Sequence, residues 1–269
     1  MAGKVIFIGA GPGAADLITL RGARLLAQAD VVLFDALTDP ALKELAPNAL
    51  WIHVGKRGFC DSTGQTAINA LLVKYAHEVN TVVRLKGGDP SVFGRLEEEL
   101  EALAQSGITS EVVPGVTAAI AAAASSQRPL TRRGTGRSVS LATAMTRSGD
   151  LNATRTADTE VFYMAGKQLA SLSQQLIHAG WPADTSASVV SRAGWPDALH
   201  SDHTVLTLAQ AGVLHAGRPT IVTVGAGARP LNTPIYMACS GQAETLKPLK
   251  CAVSPSGASR TTVTSKPEP

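Results

Sequence analysis

Short β-branched runs alternate along the chain with stretches in which apolar residues recur every three or four positions. Val5–Ile8, Val31–Phe34, Trp51–Val54, Val82–Leu85 and Glu111–Val113 read as strands. Val139–Thr143, Val161–Met164, Ser188–Ser191 and Thr220–Val224 read the same way in the second half. Several are apolar throughout, the pattern of parallel strands covered on both faces. Between them Leu17, Leu20, Ala23 and Ala27, then Ile68, Leu71, Leu72 and Tyr75, then Leu96, Leu100 and Leu103 keep helical spacing. Strand followed by helix, repeated, predicts an α/β fold with mainly parallel sheets. The repetition breaks at Pro114-Gly115, which predicts two α/β domains, 1–114 and 117–230. From Asn232 the pattern dissolves into Pro, Ser, Thr, Gly and Lys, a composition that predicts a disordered tail over 232–269.

Composition narrows the classes. With 45% hydrophobic and 17% charged residues the chain falls among ordinary globular proteins. Met1-Ala2-Gly3-Lys4 leads directly into the first strand without an apolar run of signal length, and Ala118–Ala124 is too short to span a bilayer. The expectation is a cytoplasmic protein with no membrane segment. Cys60, Cys239 and Cys251 are odd in number and unrelated in spacing, which fits neither a disulfide framework nor a zinc site. His200-Ser-Asp-His203 has no third ligand nearby in sequence, so a solvated loop and no metal is expected.

A net charge of +3 does not suggest a nucleic-acid partner. Arg128, Arg132, Arg133 and Arg137 nevertheless cluster without an acidic residue among them. Guanidinium forks match carboxylates and phosphates, so the cluster faces a polyanion or is a solvated loop; its composition leaves both open.

Three turns leave strand ends. Gly9-Ala10-Gly11-Pro12-Gly13 lets the backbone turn sharply beside a ligand, but Pro12 offers no amide donor, so a pyrophosphate is not favoured. Gly87-Gly88-Asp89-Pro90 exposes backbone and a carboxylate suited to ammonium, sulfonium or ribose hydroxyl groups; a helix-capping turn is the plainer alternative. In Val113-Pro114-Gly115-Val116-Thr117, the Thr117 hydroxyl is placed to cap the following helix.

In this order and spacing the motifs resemble the tetrapyrrole methylase family, and within it the uroporphyrinogen-III C-methyltransferase branch. The resemblance runs from Val5 to about Gly225. It includes Ala29–Asp35, Val54–Arg57, Val83–Pro90, Pro129–Thr131 and Val161–Met164 besides the three turns. It implies two α/β domains with the cofactor in the cleft between them, and a homodimer. The implied cofactor is S-adenosyl-L-methionine, leaving as S-adenosyl-L-homocysteine. Pro12, Gly87, Gly88, Asp89, Val92, Thr117, Ala118 and Met164 would hold it, with contributions near Ala193 and Thr220. Asp35 and Lys56 match positions with acid and base roles. Arg95 would be both catalytic and substrate-binding, and Glu98 and Arg133 would contact substrate.

The implied reaction methylates uroporphyrinogen III at ring positions 2 and 7 to precorrin-2, on the siroheme, cobalamin or heme d1 branch. The alternatives are another precorrin methyltransferase or a cofactor-binding relative without turnover. Ala36, Leu96, Ala144, Met145 and Ser191 depart from residues usual in the family, mostly on the substrate side.

Overall fold

The first strand, β1 (Lys4–Gly9), buries every residue after Lys4 because helices cover both faces of its sheet. With β2 (Val31–Phe34), β3 (Leu50–His53), β4 (Thr81–Lys86) and β5 (Ser110–Val113) it forms a five-stranded sheet in the order β3-β2-β4-β1-β5. All of its pairings are parallel. The computed structural model describes residues 2–55, 64–144, 153 and 155–231.

Alternation along each strand explains the unbroken apolar runs. Val5, Phe7, Leu33 and Val82 pack against Leu72 of α2 (Gln65–Glu78) and Leu103 of α3 (Leu96–Gln105). Ile6, Ile8, Val32 and Leu85 face the other way, onto Leu26 of α1 (Leu20–Leu26) and Leu42 of a short 3-10 segment.

After α4 (Ala118–Ser125) come β6 (Val139–Thr143), β7 (Thr159–Tyr163), α5 (Leu169–His178), β8 (Ser186–Ser191), β9 (Leu199–Thr204), α6 (Ala211–His215) and β10 (Thr220–Gly225). Their sheet runs β6-β7-β10-β8-β9. One face, with Phe162, Val189 and Val222, meets Leu172 and Leu176 of α5. The other, with Val161, Val190 and Ile221, meets Ala119 and Ala122 of α4.

The α/β class and the predominance of parallel pairs agree with expectation, but this second sheet is mixed. Only β6 and β7 are parallel; β10 runs against β7 and β8, and β8 runs against β9. For β8 and β9 the reason is connection length: residues 192–198 join them, short of the dozen or so that a parallel crossover needs. The segment expected as a solvated loop, His200-Ser-Asp-His203, is therefore corrected to edge strand β9. Its polar alternation hid it. The cysteines, Lys56, Met145 and the tail lie outside the described residues.

β9 also builds a histidine network. His215 is fully buried, its Nδ1 2.8 Å from Ser191 Oγ and its Nε2 2.9 Å from Ser201 Oγ. Burial lowers its pKa, helped by the positive charges of His203, Arg218 and His200. Burial likewise lowers that of His200, against the pull of Asp202.

Both groups bind fewer protons folded than unfolded below pH ~6.5, so stability falls with acidification until the folded pKa is passed. Each contributes up to about 1.4 kcal/mol per pH unit in that window. Urea midpoints should drop between pH 7.5 and 5.5, and His215→Gln should flatten that dependence; an equal slope in the variant would refute the assignment.

Candidate functional site

β4, β1 and β5 are neighbours, so the turns at their carboxyl ends converge, the usual ligand position in open α/β sheets. The first two turns are stitched together: Gly88 N donates to Gly11 O at 2.6 Å and Gly11 N to Gly88 O at 3.3 Å. Gly88 has φ +73°, a conformation glycine adopts without steric penalty. The third turn closes on them so tightly that a Cβ on Gly115 would lie 2.3 Å from Gly88 O. Asp89 ties the set. Its Oδ1 accepts from Ser91 N at 2.8 Å, and its Oδ2 accepts from Gly115 N at 2.8 Å. Asp89 is thus a structural clasp as well as a wall of the site.

These turns form one side of a cavity of about 210 Å³. Pro12, Gly87, Gly88, Asp89, Val92, Thr117, Ala118, Met164, Ala193 and Thr220, the ten residues named for a cofactor, all line it. Thr117 stands at the start of α4, yet its side chain makes no capping bond; the expected cap is corrected, because Oγ1 pairs with Tyr163 Oη at 2.8 Å. Burial raises the Tyr163 pKa and keeps that phenol protonated, despite the opposing hydrogen bonds of Thr117 and Ala119. Met164 is no core methionine: it is 43% exposed, with φ 57°.

Trp195 braces the cavity from the second half. Its Nε1 donates to Pro12 O at 3.1 Å, and the Arg192 guanidinium carbon lies 4.4 Å from its ring centroid. Five non-glycine residues have positive φ among the described residues, and four of them, Phe93, Arg95, Met164 and Arg192, line this cavity or the concavity beside it. Strain of about 1–3 kcal/mol each is held where surrounding contacts dictate the geometry, typically at functional sites.

The adjoining concavity shares Leu37, Gly87, Val92 and Phe93 with the cavity and adds Asp35, Gln65, Arg84, Lys86 and Arg95. Asp35 follows β2 and receives Arg84 Nη2 at 2.7 Å; its backbone carbonyl, accepting from Thr38 Oγ1, holds the next turn. Behind it Arg84 and Lys86 are buried against Glu99. Burial opposes the charge on Arg84, but Asp35 and Glu99 outweigh it and raise the pKa. Burial and then Arg84 push the Lys86 ammonium down, against the pull of Glu99.

Arg95 immediately precedes α3 and pairs with Glu98 through Nε–Oε1 and Nη2–Oε2, both 2.7 Å, leaving both groups about half exposed. The hydrogen bond to Glu98 raises the pKa of Arg95 most, against burial and with the attraction of Glu98 and Glu99.

The arginine cluster divides. Arg128 is buried, forks onto Asp202 and donates to Ala228 O at 2.7 Å, so it holds the second half together instead of facing a polyanion. Arg133 is exposed and lines neither the cavity nor the adjoining concavity.

Sequence reasoning missed Arg84, Lys86 and Glu99, although two charges at i and i+2 in an otherwise apolar strand were a readable signal. It also missed Tyr163, Arg192 and Trp195, which only the fold brings to the cavity. No group of three or more His, Cys, Asp or Glu suited to a metal occurs among the described residues. No described helix is long and apolar enough to cross a membrane.

Comparison with known proteins gives a family match over residues 4–210, to the tetrapyrrole (corrin/porphyrin) methylases. The uroporphyrinogen-III C-methyltransferase of Pseudomonas aeruginosa is 44% identical over 197 residues, 72% of this chain and 80% of that protein. Siroheme synthase 1 of Pectobacterium atrosepticum is 48% identical over 71% of this chain, which spans 41% of that longer protein. Among solved structures, the Thermus thermophilus uroporphyrin-III C-methyl transferase complexed with S-adenyl homocysteine superposes with a TM-score of 0.73 at 34% identity, covering 83% of this chain and 97% of that one. A cobalt precorrin-4 methyltransferase superposes at 0.74 with 30% identity, over 84% and 96%.

Gly115→Ala would push a methyl group into backbone, a misfit of about 1–3 kcal/mol. A fall of several degrees in Tm is expected, with weakened S-adenosyl-L-homocysteine binding by calorimetry. Unchanged melting and binding would show that the turns do not depend on this approach.

Proposed function

Because the chain belongs to the tetrapyrrole (corrin/porphyrin) methylase family, we propose that it transfers methyl groups from S-adenosyl-L-methionine to uroporphyrinogen III, at ring positions 2 and 7, giving precorrin-2 by way of precorrin-1. The observation that carries the reading is the cavity at the ends of β4, β1 and β5, lined by all ten residues that the family resemblance names for the cofactor. In this reading residues 1–114 and 117–230 act as two domains and the cofactor lies between them. The enzyme is a homodimer and works in the cytoplasm.

The residues fit such a cofactor. Gly87 and Gly88 present backbone to its polar parts, and Val92, Ala118, Met164 and Ala193 supply apolar contact for its base. When bound, the cofactor supplies an electrophilic methyl group on a positively charged sulfur. The protein's task is mainly alignment, an effect that can contribute roughly 7–11 kcal/mol. Methylation leaves a cationic ring that must lose a proton, which calls for a base. Asp35 is the described candidate, while Lys56, named with it, lies outside the described residues. Arg95, Glu98 and Arg133 are assigned to the substrate carboxylates, with Arg95 exchanging its Glu98 partner for one of them.

A later precorrin methyltransferase is the second reading, favoured by the cobalt precorrin-4 neighbour. Incubation with uroporphyrinogen III and S-adenosyl-L-methionine should yield precorrin-2, or sirohydrochlorin after oxidation. A protein that methylates only a later precorrin would overturn the substrate assignment. Arg95→Ala should lower kcat/KM on the order of 100-fold or more while leaving S-adenosyl-L-homocysteine affinity within about twofold; undiminished turnover would remove Arg95 from the site.

A further inference from the structure

β4 reads Thr-Val-Val-Arg-Leu-Lys, and Val82, Arg84 and Lys86 point to one face. Val82 packs there among the apolar residues below α2 and α3, whereas Arg84 and Lys86 carry charge into the same layer, each only 3% exposed. Both converge on Glu99 of α3, which is 0% exposed. Arg84 Nε donates to Glu99 Oε1 at 3.0 Å and Lys86 Nζ to Oε2 at 2.5 Å, while Gln65 of α2 donates to Oε1 at 3.3 Å. Both oxygens of this carboxylate are taken. The far edge of the same guanidinium reaches Asp35 Oδ1, and Nη1 is steadied by the carbonyls of Leu85 at 3.3 Å and Leu33 at 3.4 Å.

Two cations and two carboxylates are therefore strung from the interior to the concavity wall, neutral in sum only when Asp35 is ionised. A packed apolar set commonly stabilises a core as well as or better than buried ion pairs do, so stability alone is a poor account of four charges here. Orientation is a better one. Asp35 Oδ2 makes no hydrogen bond among the described residues, and Asp35 lines the concavity.

We propose that Glu99 is a positioning residue for proton transfer at Asp35: by locking Arg84 it pins Oδ1 and leaves Oδ2 as the acceptor. The inference rests on the reading of Asp35 as the base. In that step a carbon–hydrogen bond of the methylated, cationic ring breaks, and its electron pair returns to the ring's conjugation. The proton goes to Oδ2, which cancels the positive charge of the ring and the negative charge of the Asp35 carboxylate. Lys86, held by the other Glu99 oxygen, keeps Glu99 from swinging toward the mouth with Arg84.

The test is a double-mutant cycle on the full chain, with kcat and KM for uroporphyrinogen III and calorimetry of S-adenosyl-L-homocysteine. Glu99→Gln should lower kcat about 10- to 100-fold with KM and cofactor-product affinity within about twofold, and Glu99→Asp should recover part of the loss. Asp35→Asn/Glu99→Gln should be no more than about threefold worse than Asp35→Asn alone, because Glu99 acts only through Asp35. Losses that multiply, or a Glu99→Gln defect seen in KM or cofactor-product binding, overturn the positioning role while leaving Asp35 as base intact. A fully active Asp35→Asn overturns the base reading itself. Should Glu99→Gln not fold, Glu99→Asp takes its place in the cycle with a smaller expected fall in kcat: a fall confined to kcat and absent in the Asp35→Asn background supports the positioning role, and an unchanged kcat or a fall that multiplies with Asp35→Asn overturns it.

Discussion

Gly9, Gly88 and Gly115 come from three neighbouring strands, and a Cβ on Gly9 would lie 2.5 Å from the Gly115 Cα. That contact governs the site. Side chains at these positions would hold the turns apart, and the turns would then splay instead of presenting one continuous wall of backbone. The Gly11–Gly88 bridge and the Asp89 clasp hold the turns in register, so the wall exists before any ligand arrives. Such preorganisation suits a reaction whose main demand is alignment.

The second sheet completes the cavity through its antiparallel strands. β7 and β8 run toward the cavity and end at Tyr163 and Ser191, so Met164 and Ala193 follow directly at the site. β10 runs the opposite way, which places its first residue, Thr220, opposite Ser191 and beside the same opening. In an all-parallel second sheet the start of that strand would lie at the far end. The mixed topology is what lets residues near one strand's beginning and two others' ends line one cavity.

The legible part of the sequence was the part written in local chemistry. Strand-like runs located β2 and β6 residue for residue, and the glycine turns located the first side of the cavity. Local chemistry does not encode pairing direction, so β9, polar and at an edge, was read as loop, and the orientation of β10 was not anticipated. Nor does it encode partners distant in sequence. Arg128 belonged to a basic cluster until Asp202, 74 residues away, took it out of the surface. Thr117 sat at a helix start where a hydroxyl normally caps, and only tertiary structure brought Tyr163 within reach to take that hydroxyl.

The same blindness concealed the buried charges, and their placement separates two jobs within one strand. Leu85 points into the apolar layer under α1, while Arg84 and Lys86, one residue to either side, point into the layer of α2 and α3. Immediately after Lys86 the chain becomes the Gly87-Gly88 wall of the cavity. A displacement of β4 along its axis would therefore move the cavity wall and the support of Asp35 together. The ladders of β4 with β1 and β2 oppose that displacement, while Glu99 grips both cations from α3, the helix that Arg95 precedes and whose first turn carries Glu98. The support of Asp35 and the placement of Arg95 thus share a single mechanical reference, the seam between β4 and α3.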